Sequence, residues 1–537
     1  MIKQVIQGFL LIATVLLMSC GTTETKSEER PNILFIMSDD HAYQAISAYS
    51  DHLIKTPNID RLAHEGMLFT NASVTNSICA PSRATILTGK HTHINGKIDN
   101  ITPFDTTQVT FPQLFQEAGY QTAMFGKLHF GNNPKGVDDF MILPGQGSYI
   151  NPRFITATGD TTITGYVTDI ITDLTLDWLD KKRDPEKPFL MMYLHKAPHR
   201  SWWPSPEKFK EFLAKKYPEP ETLFDDYENR GSAAKEAAMT ISDEMILSYD
   251  NKVLPDAVDQ AGIVDDPRNR PYFENNEYPR INAAQSAEYY PLLDSIAEDF
   301  KRNWPTMTDK ERISWKYQRY MQDYLGCISS VDDNVGRVLD YLDEHGLAEN
   351  TLVVYTSDQG FYLGEHGWFD KRFIYQESFK TPLLIRWPNK IEPGITNDEL
   401  VQNLDFAQTF LEAAQIEAPA DMQGQSIMPL LRGNMADWDR NSVYYHYYEY
   451  PGAHMVKRHY GIVTKKYKLA NFYYDVDEWE LYDLEADPSE MNNVYGDPEY
   501  ATTVAELKEE LNSLRVEYKD SPALDRKYIE QYENRRK

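Results

Sequence analysis

Unbroken apolar runs of strand length alternate along this chain with stretches whose apolar residues recur every three or four positions. Pro31-Asn32-Ile33-Leu34-Phe35-Ile36-Met37 is the first run; Gln121 to Phe125, Pro188 to Leu194, Leu352 to Thr356 and Pro382 to Arg386 follow. Runs without an alternating polar face are what parallel strands covered on both sides require. Between them, Thr56 to Ala63, Thr110 to Ala118, Asp169 to Leu179 and Thr308 to Glu344 read as helices, with Gly66, Gly119 and Gly346 as stops. In the last helix Tyr317, Met321, Tyr324, Ile328, Val331, Val335 and Leu342 keep one face apolar. Met67 to Ala72 reads as a further strand.

The pattern breaks twice. Ser201 to about Pro305 is rich in Pro, Glu, Tyr and Asn and reads as loops and short helices inserted over the site rather than as core. From about Asn441 the composition shifts to tyrosine and charge, with strand-like runs Val443 to Tyr448, Tyr460 to Val463 and Tyr467 to Phe472. Leu481 to Pro488 reads as a turn and Thr503 to Tyr518 as a closing helix. The expected fold is α/β: a large central mixed, mostly parallel sheet flanked by helices, with a smaller C-terminal antiparallel sheet and helix. We divide the chain into a main domain over 31–440, with an insertion about 201–305, and a C-terminal subdomain over 441–537.

Composition narrows the partners. A formal charge of −28 argues against nucleic acid or an anionic membrane surface, while leaving room for a local basic pocket. Lys3 precedes an apolar run, Phe9 to Met18, which is too short for a membrane span and ends in Ser19-Cys20-Gly21. A cysteine closing such a run resembles a bacterial lipobox. Residues 1–20 are therefore expected to be a lipoprotein signal peptide, Cys20 the lipidation site and 21–30 a tether. The expected location is outside the cytoplasm, lipid-anchored to the outer membrane on its periplasmic or cell-surface face. Only Cys79 and Cys327 remain, so the fold relies on its core rather than on disulfides.

Chemistry collects where strands end. The first run stops in Ser38-Asp39-Asp40-His41, where open α/β sheets place their ligands. Adjacent carboxylates repel unless a cation lies between them, and calcium or magnesium suits oxygen donors; loop solvation or helix capping is the plainer alternative. Gln121 to Phe125 ends in Gly126-Lys127-Leu128-His129, with Lys127 and His129 on one side of an extended segment. His195-Lys196-Ala197-Pro198-His199 and Ser357-Asp358-Gln359 close two more strands, and Lys371 follows a Gly-Glu-His-Gly turn. In Cys79-Ala80-Pro81-Ser82-Arg83 the proline can open a helix, whose free N–H groups and dipole favour an anion, with Arg83 one turn in. Alone, that placement predicts a reactive thiolate.

Cys-x-Pro-Ser-Arg leading to Leu87-Thr88-Gly89 resembles the signature of type I sulfatases, the formylglycine-dependent branch of the alkaline phosphatase superfamily. The resemblance spans about Pro31 to Tyr518 and includes the Leu481-Tyr482-Asp483-Leu484 stretch. It implies that a formylglycine-generating (sulfatase-maturating) enzyme oxidises Cys79, and that Asp39, Asp40, Asp358 and Gln359 bind one calcium, with formylglycine-79 or the sulfate completing its shell. Gln359 stands where many relatives carry asparagine, the same carbonyl on a shorter arm. By the same resemblance Arg83, Lys127 and Lys371 hold formylglycine and sulfate, His199 protonates the leaving oxygen, and His129 releases sulfate from the hydrate. The expected activity is removal of O-sulfate from a sulfated glycan such as ulvan, carrageenan or heparan. N-acetylglucosamine-6-O-sulfatase-like enzymes of bacteria are among the look-alikes. His91, His93, His454, Arg458 and His459 are candidate sugar contacts. Two other readings stay open: a phosphonate or phosphodiester hydrolase of the superfamily, and an unmatured glycan-binding surface lipoprotein.

Overall fold

The computed structural model describes residues 30–261 and 266–536, so Cys20, the expected signal segment and all of the tether except Arg30 lie outside the described residues. Five apolar stretches form parallel strands: β1 (Asn32–Ser38), β2 (Gln121–Lys127), β3 (Asp139–Leu143), β4 (Phe189–Leu194) and β5 (Thr351–Ser357). Their spatial order is β5-β1-β4-β2-β3, inside a ten-stranded sheet among the described residues. Antiparallel pairings extend it on both sides, through Leu383–Arg386 on β5 and Arg153–Thr156 on β3.

Every residue of β1 is buried because both faces of the sheet are covered. Leu34 and Ile36 point into one core, with the Val167–Lys181 and Asp309–Glu344 helices. Ile33, Phe35 and Met37 point into the other, with the Phe111–Glu117 and Phe406–Ala413 helices. This two-sided cover explains why the strand reads as a continuous apolar run. The 36-residue Asp309–Glu344 helix starts at a capping box, in which Thr308 and Glu311 exchange side-chain and backbone hydrogen bonds.

Gly126, in β2, is a position at which only glycine fits. Its φ is +112°, and a Cβ there would stand 1.7 Å from the Leu194 carbonyl oxygen of β4. Gly126→Ala is expected to force β2 and β4 apart, costing about 3 kcal/mol or more and displacing Lys127. Chemical denaturation measures this, and a change below about 0.5 kcal/mol counts against the packing described here.

The structure corrects three expectations. The insertion is more than loops and short helices: it contains the 21-residue helix Ala283–Asn303, with a capping box at Asn282 and Gln285. Tyr289, Leu293, Ile296 and Phe300 of that helix enter the main core. Pro291 inside the helix masks its period, although the apolar spacing itself is regular. The Leu481 to Pro488 stretch begins as a strand, Glu478–Asp483, which completes a four-stranded antiparallel sheet with Ser442–Tyr447, His459–Thr464 and Tyr467–Phe472. The helix Ala501–Glu517 covers that sheet through Leu507, Leu511 and Leu514, and a second helix, Pro522–Arg536, follows it.

Candidate active site

β1, β2, β4 and β5 all end at one edge of the sheet and carry Asp39, Lys127, the His195–His199 loop and Asp358 to it. Cys79 arrives separately. The two-residue strand Ala72–Ser73 pairs with Val401–Gln402 outside the main sheet and leads to the helix Cys79–Thr88. Cys79 is the first residue of that helix, all ten of its residues are buried, and Gly89 closes it with φ 61°. An oxygen of Asp39, the Cys79 Sγ and a His199 ring nitrogen lie within 4.8 Å of one another, as do oxygens of Asp39, Asp40 and Asp358.

Three cations face those three carboxylates. Arg83 Nε donates to Asp358 Oδ2 at 2.9 Å, and one terminal nitrogen lies within ion-pair distance of Asp358 Oδ2, at 2.9 Å, and of Asp39 Oδ1, at 3.5 Å. Lys127 Nζ donates to Asp39 Oδ2 and to the amide oxygen of Gln146. Lys371 Nζ donates to Asp40 Oδ1 at 2.5 Å, and Gln359 Nε2 donates to the same oxygen. Asp39, Asp40, Asp358, Gln359 and Lys127 are fully buried. Asp40 and His129 hold positive φ values of 68° and 66°, and Asp370 and Arg372, either side of Lys371, hold 78° and 99°. Such backbone strain gathers where a site dictates side-chain placement.

Burial and charge set the protonation states. Burial raises Asp40 to about 6, with Lys371 opposing and Asp39 adding to it. Burial, reinforced by Asp39, lifts Asp358 to about 7. For Asp39 burial is outweighed by Lys127, His199, Arg83 and Lys371, which hold it well below the usual carboxylate range. Burial, then Lys127, pushes both His129 and His199 well below the ordinary imidazole value, so both rings are neutral in this site at pH 7. The Cys79 thiol is raised by burial and by Asp39. A reactive thiolate is thus disfavoured, contrary to what the helix start alone predicts.

Asp39 Oδ1, Asp40 Oδ2 and Gln359 Oε1 are buried and lack a hydrogen-bond partner. The clustered carboxylate oxygens of Asp39, Asp40 and Asp358 form a hard donor set, which suits calcium or magnesium rather than a softer metal. Gln359 meets the cluster through its amide nitrogen, on Asp40.

The sequence-selected residues separate into two groups. Asp39, Asp40, Cys79, Arg83, Lys127, His129, His199, Asp358, Gln359 and Lys371 come together, joined by the contacts and mutual charge effects above. His93, Arg458 and His459, the other candidate sugar contacts, lie apart from them. His93 Nε2 meets the Tyr518 carbonyl at 2.8 Å and its Nδ1 the Tyr448 hydroxyl at 3.3 Å. Arg458 donates to Asp475 at 2.7 Å and to the Tyr448 carbonyl, and His459 Nε2 accepts from Ile374 N at 3.1 Å. All three are buried and their polar atoms are committed within the C-terminal subdomain and its junction with the main domain. His91, also buried, stacks on His93 and packs at a tilt against Tyr518. His454 sits nearer, with Nδ1 2.7 Å from the Ala238 carbonyl and Nε2 3.3 Å from Asp370.

Sequence reasoning missed several polar groups. Asp370 and Arg372 flank Lys371, a charged triplet that was visible, and their side chains pair at 3.2 Å. Arg372 also pairs with Glu449 at 3.2 Å; Glu449 accepts from Asn100 N, and Asn100 Oδ1 accepts from Ala80 N, beside Cys79. Neither Glu449, Asn100 nor Gln146 carries a local signal, because each reaches the site by tertiary folding alone.

A family model described as sulfatase matches residues 31–416, and one described as N-sulphoglucosamine sulphohydrolase, C-terminal, matches 364–517. An N-acetylglucosamine-6-O-sulfatase of Bacteroides thetaiotaomicron is 46% identical over 516 residues, covering 95% of this chain and 90% of the relative. An ulvan-active sulfatase of Formosa agariphila is 25% identical, covering 98% of this chain and 90% of that protein. Among solved structures, a complex with the substrate D-glucosamine-2-N,6-O-disulfate superposes with a TM-score of 0.86 at 48% identity, covering 92% of this chain and 99% of the other.

Proposed function

Because the chain belongs to the sulfatase family, we propose that it hydrolyses the 6-O-sulfate ester of a glucosamine residue in a sulfated glycan, using formylglycine made from Cys79 and one calcium ion. The observation that carries this reading is the meeting of Arg83, Lys127 and Lys371 with Asp39, Asp40 and Asp358 at the start of the Cys79 helix. Those charges balance as they stand. A divalent cation among the carboxylates leaves the site in net positive charge, which a sulfate monoester can meet.

Asp39, Asp40, Asp358 and Gln359 would hold the calcium, which supplies positive charge that draws electrons from the sulfuryl group. Cys79, as hydrated formylglycine, would provide two hydroxyls, the chemistry needed for a nucleophile that can also release sulfate. The rest falls to the chain itself. Lys127 and Lys371 screen the sulfate oxygens, while Arg83 pins Asp358 and donates to the Lys127 carbonyl. His199 Nδ1 faces the Arg200 carbonyl at 2.6 Å, which leaves Nε2 as the atom to deliver a proton to the departing alcohol. Burial and Lys127 hold that ring below the ordinary imidazole value, and the negative charge of a bound sulfate would shift it toward the protonated acid. His129 Nδ1 is buried without a hydrogen-bond partner and is the base candidate on the formylglycine side.

The glucosamine assignment is supported by the relative at 46% identity and the solved complex. Asp370, Arg372 and His454, next to Lys371, are proposed to meet sugar hydroxyls. A maturating enzyme is the proposed partner for Cys79, and a lipid anchor at Cys20 in the outer membrane the proposed location.

Sulfate release tests the function. Matured protein is offered N-acetylglucosamine 6-sulfate, glucosamine 2-N,6-O-disulfate, an ulvan oligosaccharide and an aryl phosphodiester. Loss of the 6-O-sulfate, at a rate at least about 100-fold above the other esters, is expected. Faster cleavage of the phosphorus ester would favour the phosphohydrolase alternative, and release only from ulvan would overturn the glucosamine assignment.

A further inference from the structure

We propose that Tyr149 and the insertion acid Asp250 are positioning residues for His199, so that the insertion serves to hold the acid in place. This rests on the reading of His199 as the acid that protonates the leaving alcohol.

His199 lies on a loop with no regular structure of its own, and its ring touches no rigid element through Nδ1 except the neighbouring Arg200 carbonyl. The loop's backbone closes on itself, from His199 N–H to the Lys196 carbonyl at 3.0 Å and from Trp202 N–H to the His199 carbonyl at 3.2 Å, and side chains from other segments hold it further. Tyr149, fully buried, donates its hydroxyl to the backbone carbonyl of His199 at 2.6 Å. Arg200, next along, forms a two-point pair with Asp250, Nε and a terminal nitrogen each at 2.7 Å from a different oxygen. Lys252 then donates to the Ser201 carbonyl at 2.9 Å. Three successive residues are thus each held by a separate side chain.

Two of the three holders, Asp250 and Lys252, come from the insertion. The third depends on it, because Glu277 accepts from the backbone N–H of Tyr149 at 2.8 Å and of Ile150 at 3.1 Å. Planar two-point pairs and short hydroxyl bonds in a buried setting fix direction as well as distance. A proton donor must lie within hydrogen-bond reach of the departing oxygen, and a shift of about 1 Å can cost up to about 100-fold in rate. The outer groups orient the acid as surrounding carboxylates and carbonyls orient a metal-bound imidazole.

The test is a double-mutant cycle with N-acetylglucosamine 6-sulfate, using Tyr149→Phe, His199→Ala and the pair. Tyr149→Phe removes one hydroxyl and keeps the packed ring. It is expected to lower kcat about tenfold or more, with KM held within about twofold. In the His199→Ala background the same change is expected to have no further effect, since its only route to the chemistry is gone. Unchanged kcat in Tyr149→Phe, a KM rise that accounts for the loss, or an equal loss in both backgrounds would overturn the proposal. If His199→Ala itself retains full activity, the acid assignment fails instead, and the two failures are told apart. Asp250→Asn, which keeps the side chain's volume, provides the same cycle should Tyr149→Phe not fold.

Discussion

Cys79→Ala is expected to abolish sulfate release, by at least about 10⁴-fold, while the protein stays folded. No other side chain can take over, because neither Ser77 nor Ser82 offers the chemistry required. Ser82 donates its hydroxyl to the Asp358 carbonyl and accepts from Asn403, and a serine has only one hydroxyl with which to attack and none with which to release sulfate. The structural cost is small by comparison. Cys79 is buried, and deleting one sulfur from the first turn of the helix removes a small contact worth about 1 kcal/mol. Sulfate release and a thermal melt on the same preparation separate the two effects. Turnover within tenfold of the matured parent protein would end the formylglycine reading, as would an unconverted thiol in the mass of the Cys79 peptide from fully active protein.

Asp358→Ala is expected to act on stability and activity together. Asp358 is both a proposed cation ligand and the nearer carboxylate partner of the buried Arg83 guanidinium, so its removal leaves that charge only the more distant Asp39. Breaking one side of such a pair costs about 3–5 kcal/mol, and activity should fall below detection with the cation lost. Elemental analysis and denaturation measure the two halves, and unchanged calcium content would refute the assignment. The same cluster gives a pH signature. In the metal-free protein burial holds Asp358 near 7 and Asp40 near 6, whereas an unfolded chain ionises them near the ordinary carboxylate value of about 4. Between those values the folded state binds more protons, so the metal-free protein loses stability as pH rises from about 4 to about 7. A cation binds the deprotonated carboxylates. Calcium should therefore raise Tm more at pH 7.5 than at pH 5.5, and equal increments would contradict this.

Much of the fold was legible because the signals are local. β1 and β5 sit with both faces covered, so their sequences are apolar throughout, and the Asp309–Glu344 helix shows both its period and its capping box. The site was legible where strand ends carry paired charged residues, as at Asp39-Asp40 and Lys127-Leu128-His129. Where a contact is made by distant segments, the sequence is silent. Gln146 meets Lys127 and Glu449 meets Arg372 only because loops cross, and nothing near either residue announces it. His93, Arg458 and His459 read from the sequence as candidate sugar contacts, and the fold places them away from the carboxylate cluster, in buried hydrogen bonds to Tyr518, Asp475 and Ile374.

All the strand ends that build the site point one way, and the chain enters the sheet from the other. Arg30 donates to the Ala118 carbonyl and accepts from Asn350 at the start of β1, whose seven residues span about 20 Å before Asp39 is reached. The chain thus joins the sheet at the edge opposite the one that carries the site. If the proposed anchor at Cys20 is present, attachment and chemistry sit at opposite ends of the same strands, separated by the length of β1.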